Sequence, residues 1–263
     1  MFKLVTIDID GTLIDDNLEV SKRTVEKIKE LRNRGIIITL ATGRTYKSAK
    51  EYADILNIKD PIICYNGALI KDTSNDQIIY DSRLSLDVSK EIIKFGEKEN
   101  LYVKVYTDDK LYVEKDIEEA REFSKNHKID YEVIGKLSEN INKGAQMIIL
   151  RADEDEIGKI REKVDNKNIK DAIYTMSTPK SLEFGAPKVD KRNALKILAE
   201  KYNIDRKNIL AIGNSLNDLG MIDYAGVGIA MRNADKMLLE KWDNLSKYDN
   251  NEEGVYHILN EYF

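Results

Sequence analysis

Short apolar runs that end in polar turn residues recur along the first third of the chain. The run at 4–7 leads into Asp-Ile-Asp-Gly at 8–11, which predicts a buried strand followed by a loop. Ser21 then precedes apolar residues at helical spacing, which predicts a capped helix. The runs at 36–41 and 61–65 repeat this unit, with a helical pattern between them. Strands that alternate with helices favour a parallel sheet covered by helices on both faces.

A different pattern occupies the middle of the chain. Turn residues at 73–76 lie between two strand-like segments, and the apolar alternation farther on is typical of strands with one buried face. We therefore predict an inserted α+β domain over residues 83–184. The strand and helix rhythm then returns, so residues 1–82 and 185–263 form one discontinuous domain. The predicted fold class is α/β, a doubly wound parallel-sheet core with an inserted α+β domain.

Composition and charge disfavour several classes of binding partner and exclude one class of covalent cross-link. The formal charge of the 263 residues is -5, and the cationic side chains are scattered among carboxylates, which disfavours nucleic acid or an anionic membrane as the partner. No stretch approaches the roughly twenty apolar residues that span a bilayer. We expect a cytoplasmic protein, a monomer or a small homo-oligomer. Cys64 is the only cysteine, so an intramolecular disulfide is excluded.

Polar residues follow directly after the predicted core strands. They are Asp8 and Asp10, Thr42 and Arg44, Asn66 and Gly67, and Asn214, Asn217 and Asp218. The carboxyl ends of the strands in an open parallel sheet meet at one crevice, so we expect these groups to converge there. Two carboxylates beside buried surface repel each other unless a positive charge lies between them. A divalent metal would resolve this repulsion, but an Asp-Gly pair taken alone is better explained as an ordinary turn.

Four segments appear in a fixed order with a large insert between the second and third. They are Asp-Ile-Asp-Gly-Thr-Leu at 8–13, Ala-Thr-Gly-Arg at 41–44, Val-Asp-Lys at 189–191 and Gly-Asn-Ser-Leu-Asn-Asp at 213–218. This set resembles the haloacid dehalogenase superfamily, and within it the branch of Cof-like sugar-phosphate phosphatases. Tyr-Asn-Gly-Ala at 65–68 and the segment 226–231 are similar to that branch as well, so the resemblance spans the chain.

The resemblance implies a site and a reaction. Asp8 would attack the phosphorus of a small phosphorylated metabolite, first of all a sugar phosphate, and Asp10 would act as general acid and base. Thr42 and Lys191 would complete the catalytic set. The implied substrate-binding residues are Gly11, Thr12, Arg44, Asn66, Gly67 and Asn217, of which Arg44, Asn66 and Gly67 either contact the substrate or support the pocket. The implied Mg²⁺ ligands are Asp8, the main-chain carbonyl of Asp10, Asn214 and Asp218. The insert at 83–184 would be a cap that reads the leaving group.

Three positions depart from the pattern of similar proteins. Asn214 stands where they usually have Asp, and Arg192 and Arg232 stand where they have Gly. An asparagine carbonyl is still a hard oxygen ligand but removes one negative charge, so we expect weaker Mg²⁺ binding. Two alternatives stay open from the sequence. One is a phosphomutase with the same nucleophile, and the other is a catalytically silent sensor of phosphorylated metabolites.

Overall fold

The computed structural model describes residues 1–263, which divide into two compact units. Met1–Ile79 and Asp190–Phe263 form the core unit, and Tyr80–Val189 forms the inserted unit. None of the helices combines the length and the apolar character needed to cross a membrane.

The strands and helices follow one another along the whole chain. The strands are β1 (Leu4–Ile7), β2 (Ile37–Leu40), β3 (Ile62–Cys64), β4 (Leu69–Lys71), β5 (Ile78–Asp81), β6 (Tyr102–Thr107), β7 (Lys110–Val113), β8 (Tyr131–Val133), β9 (Met147–Arg151), β10 (Ile173–Thr175), β11 (Ser181–Gly185), β12 (Ile209–Gly213) and β13 (Val227–Ala230). The helices are α1 (Lys22–Asn33), α2 (Tyr46–Ile55), α3 (Leu86–Lys98), α4 (Glu118–His127), α5 (Leu137–Asn140), α6 (Glu154–Lys167), α7 (Lys191–Lys201), α8 (Leu219–Tyr224), α9 (Lys236–Leu239) and α10 (Gly254–Tyr262).

The core unit is built on a parallel sheet of strand order β13-β12-β1-β2. Strand β1 lies in the middle, with Leu4 opposite Ile209 on one side and Ile37 on the other. All four residues of β1 are buried, as expected for a parallel strand with a near-continuous apolar sequence. Strands β1 and β12 therefore deliver the polar segments that follow them to the same edge of the sheet.

Strand β3 differs from its predicted place as a regular third parallel strand. It meets the end of β2 through one parallel bridge, between Ala41 and Ile63, and pairs antiparallel with β4 in a sheet of order β3-β4-β5. The reason lies in the next residues: Tyr65, Asn66 and Gly67 have φ of 50°, 54° and 107°. This left-handed backbone turns the chain back at once instead of starting a crossover helix.

The inserted unit contains a six-stranded sheet of order β10-β11-β9-β6-β7-β8. Its pairs are antiparallel except for β7 and β8, which are parallel. Helix α3 packs closely on this sheet, because a Cβ at Gly96 would lie 2.6 Å from Val103 Cγ2 and 2.7 Å from Leu150 Cδ2. The strand-like region at 173–184 proves to be two strands, β10 and β11, with a turn between them.

Candidate active site

The loop after β1 begins the site. The backbone N–H of Asp8 donates to the Ile212 carbonyl (3.0 Å), which continues the pairing with β12 by one residue. Gly11 then adopts a φ of +72°, and a Cβ at this position would overlap the side chain of Asn214. A glycine is therefore required both for the turn and for the approach of the second segment.

Lys191 joins two buried carboxylates from different segments. Its Nζ lies 2.7 Å from Asp8 Oδ1 and 2.6 Å from Asp218 Oδ1. The three residues are 1%, 5% and 0% exposed, respectively. Asp190 caps helix α7, because its side chain accepts a hydrogen bond from the Asn193 N–H. This cap fixes the backbone of Lys191, the first residue of the helix. A buried ion pair of this kind persists only because the opposite charges are in direct contact.

The electrostatics of this cluster are dominated by burial and by the surplus of negative charge. Burial raises the pKa of Asp8 to about 7, repulsion from Asp218 acts in the same direction, and Lys191 opposes both. Burial alone would lower the pKa of Lys191, but the charges of Asp218 and Asp8 outweigh it and hold that pKa above its ordinary value. Lys191 is therefore a permanent cation, and the proton affinity of Asp8 depends on any further positive charge nearby.

Asp218 is fixed from both sides. Its Oδ1 contacts Lys191, and its Oδ2 accepts from the backbone N–H groups of Asn214 (2.9 Å) and Ser215 (3.0 Å). A Cβ at Gly213 would lie 2.5 Å from Asp218 Cβ, so the close approach depends on the glycine that ends β12. The carboxylate of Asp218 therefore orients Lys191 and the loop at 214–215 in this structure.

Asn214 brings a third polar group to the oxygens of the first loop. One atom of its terminal amide lies 2.9 Å from the Asp10 carbonyl oxygen, 3.2 Å from Asp8 Oδ2 and 3.0 Å from Thr12 Oγ1. With Nδ2 at this place the amide donates to all three oxygens. With Oδ1 there, Thr12 donates to it, and this oxygen faces the Asp10 carbonyl oxygen and Asp8 Oδ2, an arrangement that is unfavourable unless a cation lies beside the three oxygens.

This oxygen set fits the ligand preference of Mg²⁺. Asp8, Asn214 and the Asp10 carbonyl offer hard oxygens of the kind that Mg²⁺ takes together with several waters. The set is mixed, since no group of three or more His, Cys, Asp or Glu side chains is placed to hold a metal. One proposed ligand is a side-chain amide and another is a main-chain carbonyl, so only one of the three is a carboxylate.

Arg44 holds the side chain of Asp10. Its Nε donates to Asp10 Oδ2 (2.8 Å) and its Nη2 to Oδ1 (2.6 Å), while Nη1 donates to Ser48 Oγ (3.1 Å). Arg44 is 7% exposed. Burial opposes its charge, but the hydrogen bonds and charge of Asp10 outweigh burial and raise the pKa of Arg44 above its ordinary value. The pair is a bidentate ion pair, the geometrically most specific contact between these residue types.

The remaining predicted residues lie along the ends of β2 and β3. Thr42 is fully buried, and its Oγ1 accepts from the Arg44 N–H (3.1 Å) while its carbonyl accepts from the Asn66 N–H (3.0 Å). Asn217 Nδ2 donates to Asn66 Oδ1 (3.0 Å), and Asn217 Oδ1 is buried with no hydrogen-bond partner. A Cβ at Gly67 would overlap the Asp190 carbonyl, which brings this turn against the start of α7.

Two contributors were absent from the sequence prediction. Ser48 contacts Arg44, and Asn233 Nδ2 donates to the Gly11 carbonyl (2.9 Å). Ser48 lies four residues after Arg44, a spacing that brings side chains together where the chain is helical, but a serine there is too common to single out. Arg232 proves to be structural, because Nη2 pairs with Asp249 (2.7 Å) and Glu252 (2.6 Å). Arg192 forms only an exposed pair with Asp223 (3.3 Å).

Comparison with known proteins places the chain in a family. The family model of haloacid dehalogenase-like hydrolases matches residues 5–259. Among curated relatives, two 5-amino-6-(5-phospho-D-ribitylamino)uracil phosphatases of Bacillus subtilis match over nearly the full length of both chains. YwtE is 31% identical over 98% of this chain and 97% of its own. YitU is 28% identical, with coverage of 99% and 97%.

A solved structure agrees with these relatives in fold. The crystal structure of TM0651 from Thermotoga maritima is 31% identical, covers 99% of this chain and 97% of its own, and superposes with a TM-score of 0.82. Its likeness supports the predicted α/β fold class, which the parallel sheet of the core unit shows directly. The chain therefore belongs to the haloacid dehalogenase-like hydrolase family, its full-length relatives are named phosphatases, and the predicted family, fold class and enzyme class are confirmed.

Proposed function

We propose that the protein is a phosphomonoester hydrolase in which Asp8 is the nucleophile. The observation that carries the proposal is the buried cluster of Asp8, Lys191 and Asp218. A carboxylate 5% exposed and directly paired with a lysine that is itself oriented by a second carboxylate has a fixed direction. Such orientation is what covalent catalysis requires of a nucleophile.

The reaction takes place in two steps. In the first, an oxygen of Asp8 bonds to phosphorus, the bond to the leaving oxygen breaks, and Asp10 gives that oxygen a proton. In the second, water attacks the phosphorus of the aspartyl-phosphate, Asp10 accepts a proton from the water, and the bond to Asp8 breaks to release inorganic phosphate. Asp10 ends each cycle in the protonation state in which it began.

Negative charge on the transferring group needs fixed positive partners. The Lys191 ammonium contacts Asp8, and in the proposed reaction it is the cation nearest to the phosphoryl group on that carboxylate. By the family pattern, Thr42 and Asn217 donate to the phosphoryl oxygens, and Gly11 and Thr12 supply backbone N–H groups. Pre-oriented donors of this kind supply most of the catalysis in phosphoryl transfer.

Mg²⁺ is the proposed cofactor, held by Asp8, the Asp10 carbonyl and Asn214. When bound, it would neutralise charge on the phosphoryl oxygens and favour the ionised form of Asp8. We place Asp218 second among the proposed ligands, because both its oxygens are engaged by Lys191 and by backbone N–H groups. Its contact with the metal would be made through water.

The proposed substrate is a small phosphorylated metabolite, with sugar and polyol phosphates first. The names of YwtE and YitU describe a substrate with a phosphorylated ribityl chain, which supports this class. We propose that the inserted unit, a separate compact unit, acts as a cap that excludes water and recognises the leaving group.

Phosphate release from a panel of sugar, polyol and nucleotide monophosphates tests the proposal. We expect release that depends on Mg²⁺ and is abolished in Asp8→Asn, whose amide is a poor nucleophile of similar shape. Lys27→Met, a substitution of another largely buried lysine of the core unit, is the matched control and should retain activity. Phosphoryl return to a second hydroxyl in the presence of a sugar bisphosphate would instead identify a mutase. Tight binding without release would identify a sensor.

A further inference from the structure

The guanidinium of Arg44 is committed to a carboxylate and not to open space. Two of its nitrogens donate to the two oxygens of Asp10, and the third nitrogen donates to Ser48. The side chain of Arg44 is 4% exposed, whereas that of Asp10 is 48% exposed. The arginine is therefore the fixed member of the pair and the aspartate is the member that reaches the solvent side.

We propose that Arg44 is a positioning residue that aims the Asp10 carboxylate at the leaving oxygen, rather than a residue that binds the phosphoryl group. The inference rests on the proposed function, because it assigns Asp10 the role of general acid and base. Of the two roles that the sequence leaves open for Arg44, contact with the substrate or support of the pocket, it selects support.

Three contacts make Arg44 a rigid support. Its backbone N–H donates to Thr42 Oγ1 (3.1 Å), its Nη1 donates to Ser48 Oγ (3.1 Å), and its guanidinium carbon lies 5.0 Å from the centre of the Tyr52 ring. Ser48 and Tyr52 are neighbours on one face of helix α2, four residues apart. A guanidinium fixed at the backbone, at one nitrogen and over an aromatic ring has little freedom left.

The need for such a support follows from the exposure of Asp10. A half-exposed aspartate on a loop can populate several rotamers, but a general acid acts only within hydrogen-bond reach of the oxygen that it protonates, about 2.6–3.2 Å. The fork of Arg44 holds both carboxylate oxygens and so defines the plane of the carboxylate as well as its position. A lysine offers a point charge and cannot define that plane.

Charge balance favours the same assignment. Asp8 and Asp10 are two residues apart on the same loop, and like charges in one site repel each other. Arg44 neutralises Asp10 through direct contact when Asp10 is ionised, the state in which it accepts the proton of the attacking water. A guanidinium recruited by a phosphoryl group would have to leave this contact, and Asp10 would then lose its orientation during the step in which the leaving oxygen needs a proton.

Leaving-group dependence separates the two roles. Wild type, Arg44→Lys and Arg44→Met are compared by kcat/KM on two esters, the best sugar phosphate of the panel and 4-nitrophenyl phosphate. The nitrophenolate departs without a proton, so it does not need Asp10 in the first step, which kcat/KM reports. We expect both variants to lose about 10²-fold on the sugar phosphate, the scale of a misplaced catalytic group, and less than about tenfold on the aryl ester.

Two further variants keep the test decisive. Ser48→Ala removes one contact to Arg44 without touching Asp10, and we expect a smaller loss with the same preference for the sugar phosphate. Arg121→Lys is the control, because Arg121 holds Asp116 through the same fork (2.9 Å for each bond) on an exposed part of the inserted unit. It should leave both values unchanged, and thermal unfolding of every variant confirms that each is folded.

The outcomes distinguish failure of the inference from failure of the proposed function. Equal losses on the two esters would overturn the positioning role, since both carry the same phosphoryl group. Full rescue by Arg44→Lys would overturn it as well. A wild-type protein that releases phosphate from neither ester would overturn the proposed function, and this inference with it.

Discussion

The most deeply buried lysine of the core unit and that of the inserted unit have different surroundings. Lys191 in the core unit is 1% exposed and contacts two carboxylates. Lys104 in the inserted unit is 3% exposed, and the charged groups around it are the cation of Arg151 and the carboxylates of Glu119 and Glu183. Its ammonium lies 4.0 Å from the centre of the Phe123 ring and 5.9 Å from that of Tyr102.

The difference appears in proton affinity. Burial lowers the pKa of Lys104 to about 8, and repulsion from Arg151 adds to the effect. The same burial acts on Lys191, but two carboxylates reverse the direction. Burial alone therefore does not make a reactive site. The core cluster is distinctive because one cation faces two anions, which leaves a net negative charge beside the oxygens of Asn214 and Asp10.

Removal of Lys191 should have the largest effect. Lys191→Met leaves Asp8 and Asp218 buried without a cation, and we expect the free energy of unfolding to fall by about 3–5 kcal/mol. Phosphate release should fall below detection in the same variant. Urea unfolding gives the first value, and a change of less than about 1 kcal/mol would show that the two carboxylates are not charged together.

Removal of Lys104 should raise the free energy of unfolding, whereas removal of Lys191 lowers it. Lys104→Met removes a buried cation whose burial cost exceeds the attraction of Glu119 and Glu183, since its pKa is lowered to about 8. We expect the inserted unit to gain about 1–3 kcal/mol at pH 7. Hydrogen exchange of the β6 and β9 amides measures the gain. A loss of protection would mean that the contact of the ammonium with Phe123 outweighs the cost of burial.

The dependence on pH sharpens this prediction. The pKa of Lys104 is about 8 in the folded protein, against an ordinary value of 10.5. Between pH 8 and pH 10.5 the folded protein therefore binds fewer protons than the unfolded chain. Stability should therefore rise as the pH increases from about 8 towards 10.5, and the cost should be fully present below pH 8. The Lys104→Met variant should lack this part of the increase in the free energy of unfolding. An increase equal to that of wild type would contradict a lowered pKa for Lys104.

A change at Asn214 should have a smaller effect on the core. Asn214→Asp adds a carboxylate 2.9–3.2 Å from the oxygens of Asp10 and Asp8. We expect the metal-free protein to lose about 1 kcal/mol and Mg²⁺ to bind about tenfold more tightly, since the charge of the ligand set tunes affinity. Thermal unfolding with and without Mg²⁺ measures both effects. An unchanged response to Mg²⁺ would remove Asn214 from the proposed ligand set.

The regular parts of the core could be predicted because local patterns and burial agree. The apolar run of β1 and the cap at Asp190 both specify their elements from neighbouring residues alone. The return of the chain after β3 could not be predicted, because it depends on left-handed backbone at Tyr65 as well as Asn66. Asparagine favours that conformation and tyrosine does not, so the identity of residue 65 argued for a different turn.

Contacts between distant segments limited the prediction of the site. The sequence motifs indicate that Asp10 and Arg44 approach one edge of the sheet, but not that they bind each other. The burial of Lys104 could not be predicted either, because a polar residue in an alternating strand is expected to face solvent. Helix α4 supplies Phe123 to cover it, and this packing is a tertiary property that no local pattern encodes.

Trapping of the covalent intermediate tests the central claim most directly. Asp10→Asn with 4-nitrophenyl phosphate should form the aspartyl-phosphate, since this leaving group needs no proton, and should hydrolyse it slowly, since water is no longer activated. The account predicts a burst in which each protein molecule releases one nitrophenolate. After acid quenching and proteolysis, the peptide of residues 4–22 should carry one phosphoryl group, on Asp8. The absence of that phosphorylated peptide would contradict the account. So would its presence in a double variant that carries Asp8→Asn together with Asp10→Asn.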